Sequence, residues 1–235
     1  MDRRSFLETC TAGAAGLSAA AASFPAFAAD ARPREYARAL LVDERGDPLK
    51  ASALKAQVNY VFHYPYEATP VFLLDLGKPV KPHALSTEDR HAYSWPGGVG
   101  RNRSIVAFSA ICAHQLVYPT PDVSFISFRK TRAQRGVQDG LIHCCAEHSQ
   151  YDPARGAEVL SGPARQPLCA VLLEHDPAAD TLTAHATLGG ELFDAFFRKY
   201  QLKLSLDVGP KARNTIAGKT VVSELARFCK NPIQC

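Results

Sequence analysis

Two short segments of the chain combine the side chains that bind soft and borderline metals. Cys112-Ala113-His114 reads C-x-H, and Cys145-Ala146-Glu147-His148 reads C-x-x-H, 33 positions further on. Thiolate sulfur and neutral imidazole nitrogen are ligands for zinc and iron. Two of each suit either a structural zinc ion or a 2Fe–2S centre in which imidazoles replace two of four thiolates. Each segment follows an apolar run of strand character, Ser104 to Ile111 and Leu141 to Cys145, which puts both on loops at one end of a sheet. The expected ligands are Cys112, His114, Cys145 and His148.

The text around these motifs narrows the choice. IVAFSAICAH at the first and HSQYDPARGAEVLSGPA at the second resemble the Rieske iron–sulfur proteins, especially the small exported subunit of arsenite oxidase and the Rieske protein of cytochrome bc complexes. The resemblance runs from Tyr60 to Leu188 and is most specific from Ile105 to Leu168. It implies that Cys112 and Cys145 hold one iron through sulfur and His114 and His148 the other through nitrogen. It also implies that Gly162, Pro163 and Ala164 form a loop over the cluster, and that one hydroxyl from the stretch Ser149, Gln150, Tyr151 donates to a sulfur. Neutral imidazoles take negative charge off one iron, so such a chain is a one-electron relay that performs no substrate chemistry of its own.

The departures matter as much. Relatives of the bc type carry an extra cysteine in each cluster loop, joined as a disulfide, where this chain has Val117 and Glu147. The second loop is also one residue short. With Ser149, Tyr151 and Asp152 aligned to the family, the ligand columns fall on Cys144 and Glu147. A carboxylate is a poor replacement for imidazole there, so the preferred alignment puts the gap after His148 and keeps Cys145 and His148. His143 is then a strand residue facing away from the cluster, since side chains alternate along a strand.

Elements able to position these loops follow from composition. The 235 residues are 46% hydrophobic and 21% charged, a balance that allows a buried core. Lys and Arg outnumber Asp and Glu by only 27 to 23, which excludes a nucleic-acid binder. Strand-like runs at Val58 to Tyr64, Val71 to Leu76, Ser104 to Ile111, Val123 to Phe128, Leu168 to His175 and Thr181 to Thr187, separated by turn residues, predict a mainly β fold. The resemblance makes it a Rieske-like antiparallel β sandwich with an inserted cluster-binding subdomain. Leu192, Phe193, Phe196, Phe197 and Tyr200, then Val221, Val222, Leu225 and Phe228, recur at helical spacing and predict a short α-helical C-terminal extension.

The ends of the chain add context. Arg3-Arg4-Ser5-Phe6-Leu7, an Ala-rich stretch and Ala26-Phe27-Ala28 form a twin-arginine export signal. The expected organisation is this signal at 1–28, an extended N-terminal arm at 29–56, a Rieske domain at 57–188 with its cluster-binding part at about 110–166, and the helical extension at 189–235. Cys229 and Cys235 are the disulfide candidate, with Cys144–Cys169 a weaker one. Arg129, Lys130, Arg132 and Arg135 form either a solvated hairpin or a docking patch for an acidic redox partner.

The function expected is that of an exported, periplasmic Rieske 2Fe–2S electron-transfer protein, the small subunit of an arsenite-oxidase-like oxidoreductase. Its partners would be a molybdenum-containing catalytic subunit and a c-type cytochrome. A Rieske component of a quinol-oxidising cytochrome bc-type complex is the alternative, favoured if the leader is retained as a membrane contact. A Cys2His2 zinc-stabilised interaction module is the alternative of another class. Mass spectrometry of the exported protein should find Ala29 as its first residue. An intact leader on a membrane-bound protein would favour the quinol-oxidising alternative.

Overall fold

Alternation of apolar side chains builds one large sheet. The computed structural model describes residues 32–130 and 140–235, so the export signal, Cys10, Arg132 and Arg135 lie outside the described residues. The eight strands run in the order β14 (Gly218–Val221), β1 (Arg34–Val42), β13 (Thr181–Leu188), β12 (Ala170–Asp176), β6 (Ile105–Ser109), β3 (Pro70–Asp75), β2 (Tyr60–His63) and β15 (Ser223–Glu224). All neighbours pair antiparallel except β1 and β14. The fold is mainly β, as composition predicts.

Both faces of this sheet are covered, which is why its central strands read as continuous apolar runs rather than as alternating ones. Phe72, Leu74, Val106 and Phe108 face one core, while Val71, Leu73, Ile105 and Ala107 face the other. A second sheet lies against the first core, in the order β11 (Glu158–Ser161), β10 (Ser149–Asp152), β9 (Leu141–Cys144) and β8 (Ile126–Arg129). It is inserted between β6 and β12 and carries the second cysteine motif. The hairpin of β4 (His83–Ser86) and β5 (Ala92–Trp95) adds Leu85, Tyr93 and Trp95 to the same core.

Two features were not read from the sequence. The extended N-terminal arm contains the nine-residue β1, paired on both sides. Its first residues, Arg34 to Ala37, are mostly exposed, and only Ala39, Leu41 and Val42 are buried, so its apolar signal is too short to read. The second helical stripe is not a helix. Thr220 and Val222 are buried and Val221 is exposed, a two-residue period that belongs to β14 pairing with β1. Only the single turn α3 (Leu225–Phe228) is helical there.

The first stripe does form α1 (Phe193–Lys199), followed by α2 (Gln201–Asp207). Phe193, Phe196, Phe197 and Leu204 close on Ile111 with Leu116 and Tyr118, so the helical extension grips the loop that leaves β6. At the chain's end β16 (Asn231–Pro232) pairs with β7 (Val123–Ser124). Among the described residues no helix is long and apolar enough to cross a membrane.

Burial of His63 at the end of β2, with its ring 5.9 Å from that of Phe228, pushes its pKa down to about 4. As pH falls below about 6.5 the unfolded chain binds a proton that the folded chain refuses until about 4, so stability is lost across that window. Denaturant unfolding at pH 7 and pH 5 should show a loss of roughly 1–2 kcal/mol from this residue. His63→Gln should remove that part of the loss, and an unchanged pH dependence would refute the assignment.

Candidate metal centre

The first motif sits on the turn that β6 enters after Ala110 and Ile111. Cys112 N donates to Val117 O at 2.8 Å and Leu116 N to Cys112 O at 3.0 Å, closing the turn with Leu116 in the left-handed region at φ 59°. Cys112 is fully buried within the core shared with the second sheet.

The second motif is a β-hairpin whose register decides which residues face Cys112. Ser149 pairs with Cys144, Gln150 with His143 and Tyr151 with Ile142. Residues directly opposite one another share a face and alternate along the strand. Ile142, Cys144, Ser149 and Tyr151 therefore point inward together, while His143 lies on the other face. The connecting residues are Cys145, Ala146, Glu147 and His148, and His148 takes the left-handed conformation at φ 58° that lets the chain return.

Cys144, not Cys145, thus meets Cys112. The two thiols lie close enough on the inner face that each shifts the ionisation of the other. That contact to Cys144, with support from the Tyr151 hydroxyl and the N–H groups of His114 and Gln115, pulls the Cys112 thiol down to about 6 despite its burial. Cys144 is pushed up, by the neighbouring Cys112 first and by its own burial. The N–H groups of Ala146 and Glu147 act on its sulfur in the opposite sense.

Tyr151 supplies the hydroxyl that the sequence placed among Ser149, Gln150 and Tyr151. Its oxygen accepts from Ala113 N at 3.1 Å and lies 3.3 Å from Cys112 Sγ, so its proton is available to the sulfur. Ser149 instead accepts from Ala164 N at 3.2 Å and ties down the 162–164 loop. Gly162, at φ 89°, lies so close that a Cβ there would come within 2.5 Å of Ser149 Cα and 2.7 Å of His148 O. That approach fixes the proline loop over the second motif. His114 Nδ1 is buried and finds no hydrogen-bond partner among the described residues. Such an atom is costly unless something else satisfies it.

Cys145 and His148 are not brought to this group. Cys145 opens the hairpin turn, outside the alternation that aims Cys144 inward, and is disulfide-bonded to Cys235 with Cα atoms 5.6 Å apart. This also corrects the expected Cys229–Cys235 bridge: Cys229 is unbridged and buried, as are Cys112, Cys144 and Cys169. A disulfide sulfur has no thiolate charge to offer a metal. The imidazole of His148 lies with His143 and Cys235, the ring centroids of the two histidines being 6.0 Å apart.

Arg129 is corrected as well. Only 7% exposed, it is no docking residue: its guanidinium donates to Cys145 Sγ at 3.1 Å and to the Ile233 carbonyl. Glu147 stands three residues after Cys144 and is exposed, and among the described residues its carboxylate makes no ion pair or hydrogen bond. The hairpin register turns Cys144 inward and leaves Cys145 and Glu147 in the connecting turn. No signal in the sequence links Cys145 to Cys235, 90 residues away.

No protein-family model matches the chain. Among solved structures it is similar to the soluble domain of the Rieske protein II (soxF) from Sulfolobus acidocaldarius, at 24% identity and a TM-score of 0.47, over 66% of this chain and 82% of that one.

Peptide mapping of the non-reduced protein should recover a Cys145–Cys235 peptide, with Cys112, Cys144, Cys169 and Cys229 alkylated after denaturation. Cys235→Ser opens a long loop and should cost roughly 2–4 kcal/mol in denaturant unfolding. A Cys229–Cys235 peptide in place of Cys145–Cys235 would contradict the pairing.

Proposed function

We propose that the chain is a one-electron carrier whose 2Fe–2S cluster is held by Cys112 and Cys144 through sulfur, His114 through Nδ1 and Glu147 through its carboxylate. The observation that carries this reading is the pair of buried, unbridged cysteines Cys112 and Cys144 in one core, with His114 Nδ1 buried and unpartnered among the described residues. Two thiols that cannot both ionise alone can do so next to positive iron. Three donors are thus of the kind that such a cluster binds, and the fourth is a carboxylate where the family has imidazole. The group of three donors within 4.8 Å of one another among the described residues is His143, His148 and Cys235, not Cys112, Cys144 and His114.

When bound, the cluster supplies reversible one-electron reduction without bond-making to a substrate. The Tyr151 hydroxyl and the N–H groups of His114, Gln115, Ala146 and Glu147 direct positive dipoles at the two sulfurs, favouring the more negative, reduced charge state. The Glu147 carboxylate works against them by adding negative charge. Burial of Cys112 and Cys144 keeps water from both thiolates, while the partly exposed His114 gives the set a path to the surface.

The twin-arginine segment at Arg3-Arg4 supports export to the periplasm of a protein folded around its cofactor. With the resemblance around both motifs, it supports the role of small subunit in a two-subunit oxidoreductase. The catalytic partner would carry molybdenum and a c-type cytochrome would accept the electrons.

Protein prepared anaerobically should be red-brown, contain iron and acid-labile sulfide in equal amounts, and give a 2Fe–2S electron spin signal when reduced. Cys144→Ser and Glu147→Gln should lose the colour, while Cys145→Ser and His148→Ser should keep it. Glu147→His removes the anion and should raise the potential by some tens of millivolts, about 59 mV for each 1.4 kcal/mol of coupling to one electron. Tyr151→Phe should lower it. A colourless protein holding zinc would overturn the redox reading, and loss of iron in Cys145→Ser with retention in Cys144→Ser would restore the gapped alignment.

A further inference from the structure

The outer face of the β9–β10 hairpin carries a second group of metal-binding side chains that the cluster does not use. His143 is 3% exposed, and the polar atom facing its ring is Cys235 Sγ, 3.5 Å from Nδ1 and 3.9 Å from Nε2. The donor atoms of His143, His148 and Cys235 all lie within 4.8 Å of one another. Cys145 is bonded to Cys235, so its sulfur adjoins this group without being a member of it. Two imidazoles and one sulfur therefore converge, with a second sulfur bonded to the first, drawn from β9, from the hairpin turn and from the chain terminus.

We propose that this is a latent Cys2His2 site for a divalent ion of the zinc class, closed by the Cys145–Cys235 disulfide and opened by its reduction. A dithiol donates two electrons to the disulfide and is itself oxidised to a disulfide, and each released sulfur takes up one proton. The entering ion displaces both protons to water and binds Cys145 and Cys235 as thiolates, with one nitrogen each from His143 and His148. Tetrahedral bonds of about 2.0–2.3 Å put neighbouring donors roughly 3.3–3.8 Å apart. From separations within 4.8 Å the three donors need to close by about 1.5 Å at most to reach that spacing.

The protein surroundings fit thiolates better than thiols. The guanidinium of Arg129 already donates to Cys145 Sγ at 3.1 Å and can remain there as a partner for the released thiolate. The pairing of β16 with β7 keeps Cys235 close after the bridge is cut, since Asn231 and Pro232 stay in register with Val123 and Ser124. The site also explains where the His148 ring lies, turned toward His143 rather than toward Cys112. It stands whether or not the Cys112–Cys144 centre holds a cluster.

The test uses the full chain, oxidised or reduced with a phosphine that binds no zinc, then freed of reductant and titrated with Zn2+ or with Co2+ as a coloured stand-in. The reduced protein should bind one more equivalent than the oxidised one, with the absorption of cobalt–thiolate bonds in a tetrahedral field. His148→Ala, an exposed position, should weaken that added equivalent at least a hundredfold, and Cys144→Ser should leave it unchanged. On the unmutated reduced protein, Zn2+ should protect the Cys145 and Cys235 peptides together from alkylation, a readout that needs no variant to fold. Equal metal uptake by the two redox forms, alkylation of Cys145 and Cys235 at the same rate with and without Zn2+, or full-affinity binding by His148→Ala would overturn the proposal. Loss of the added equivalent in Cys144→Ser would overturn it too, by assigning the ion to the inner pair.

Discussion

The pairing of Cys144 with Ser149 across the β9–β10 hairpin orders everything around the centre. Side chains of a strand alternate with period two, so a slip of one residue would exchange every inward group for an outward one. In the observed register Ile142, Cys144, Ser149 and Tyr151 enter the core, where Cys112 comes to meet them from the other sheet. The same pairing sends His143 outward and leaves Cys145 and His148 in the turn. One hairpin therefore builds two chemically distinct groups back to back: an inner dithiol with a hydroxyl donor, and an outer set of two imidazoles and a disulfide.

Three independent restraints hold that register. Isolated two-stranded hairpins are marginal in water. This one is flanked on both sides, by β8 next to β9 and by β11 next to β10. The Gly162 segment lies directly on its turn, and the Cys145–Cys235 bond ties the turn to a terminus that is itself anchored on β7. The opposing loop is held from the other direction. Lys199 of α1 donates to the Gln115 carbonyl at 2.6 Å, and Ile111 and Leu116 on either side of Cys112 are buried or half-buried against Phe193, Phe196 and Phe197. The C-terminal extension is thus part of the frame of the centre.

How much of this could be read from the sequence follows from the physics of each piece. At Cys112 and His114 no choice between neighbours arises, because their loop leaves a strongly apolar strand and offers a single cysteine and a single histidine. The second motif offers Cys144-Cys145 and Glu147-His148, and chemical preference for imidazole over carboxylate favoured Cys145, the member of the cysteine pair that the hairpin does not aim at Cys112. The decisive signal was positional. Tyr151 and Ser149 alternate with the same phase as Ile142 and Cys144 once the turn is given four residues, and His148 occupies the left-handed corner of that turn. The long reach from Cys145 to Cys235 left no local mark, and β1 hid because only its last residues are buried.

Comparison of the unbridged cysteines separates a chemical role from a packing role. Cys169 is as buried as a core aliphatic, and burial with the nearby Glu191 charge pushes its thiol far up, so it remains a small neutral hydrophobe. Cys112 is equally inaccessible, yet its thiol is drawn down to about 6. The difference lies in the partners: a second thiol, a tyrosine hydroxyl and two backbone N–H groups converge on one sulfur. A core built only for packing gains nothing from gathering donors around a thiol, because each buried donor must be desolvated and the resulting thiolate must be kept from water. That cost would be recovered if, as proposed, a cation shared the site, because both sulfurs could then ionise and the unpartnered His114 Nδ1 would have an electron-pair acceptor.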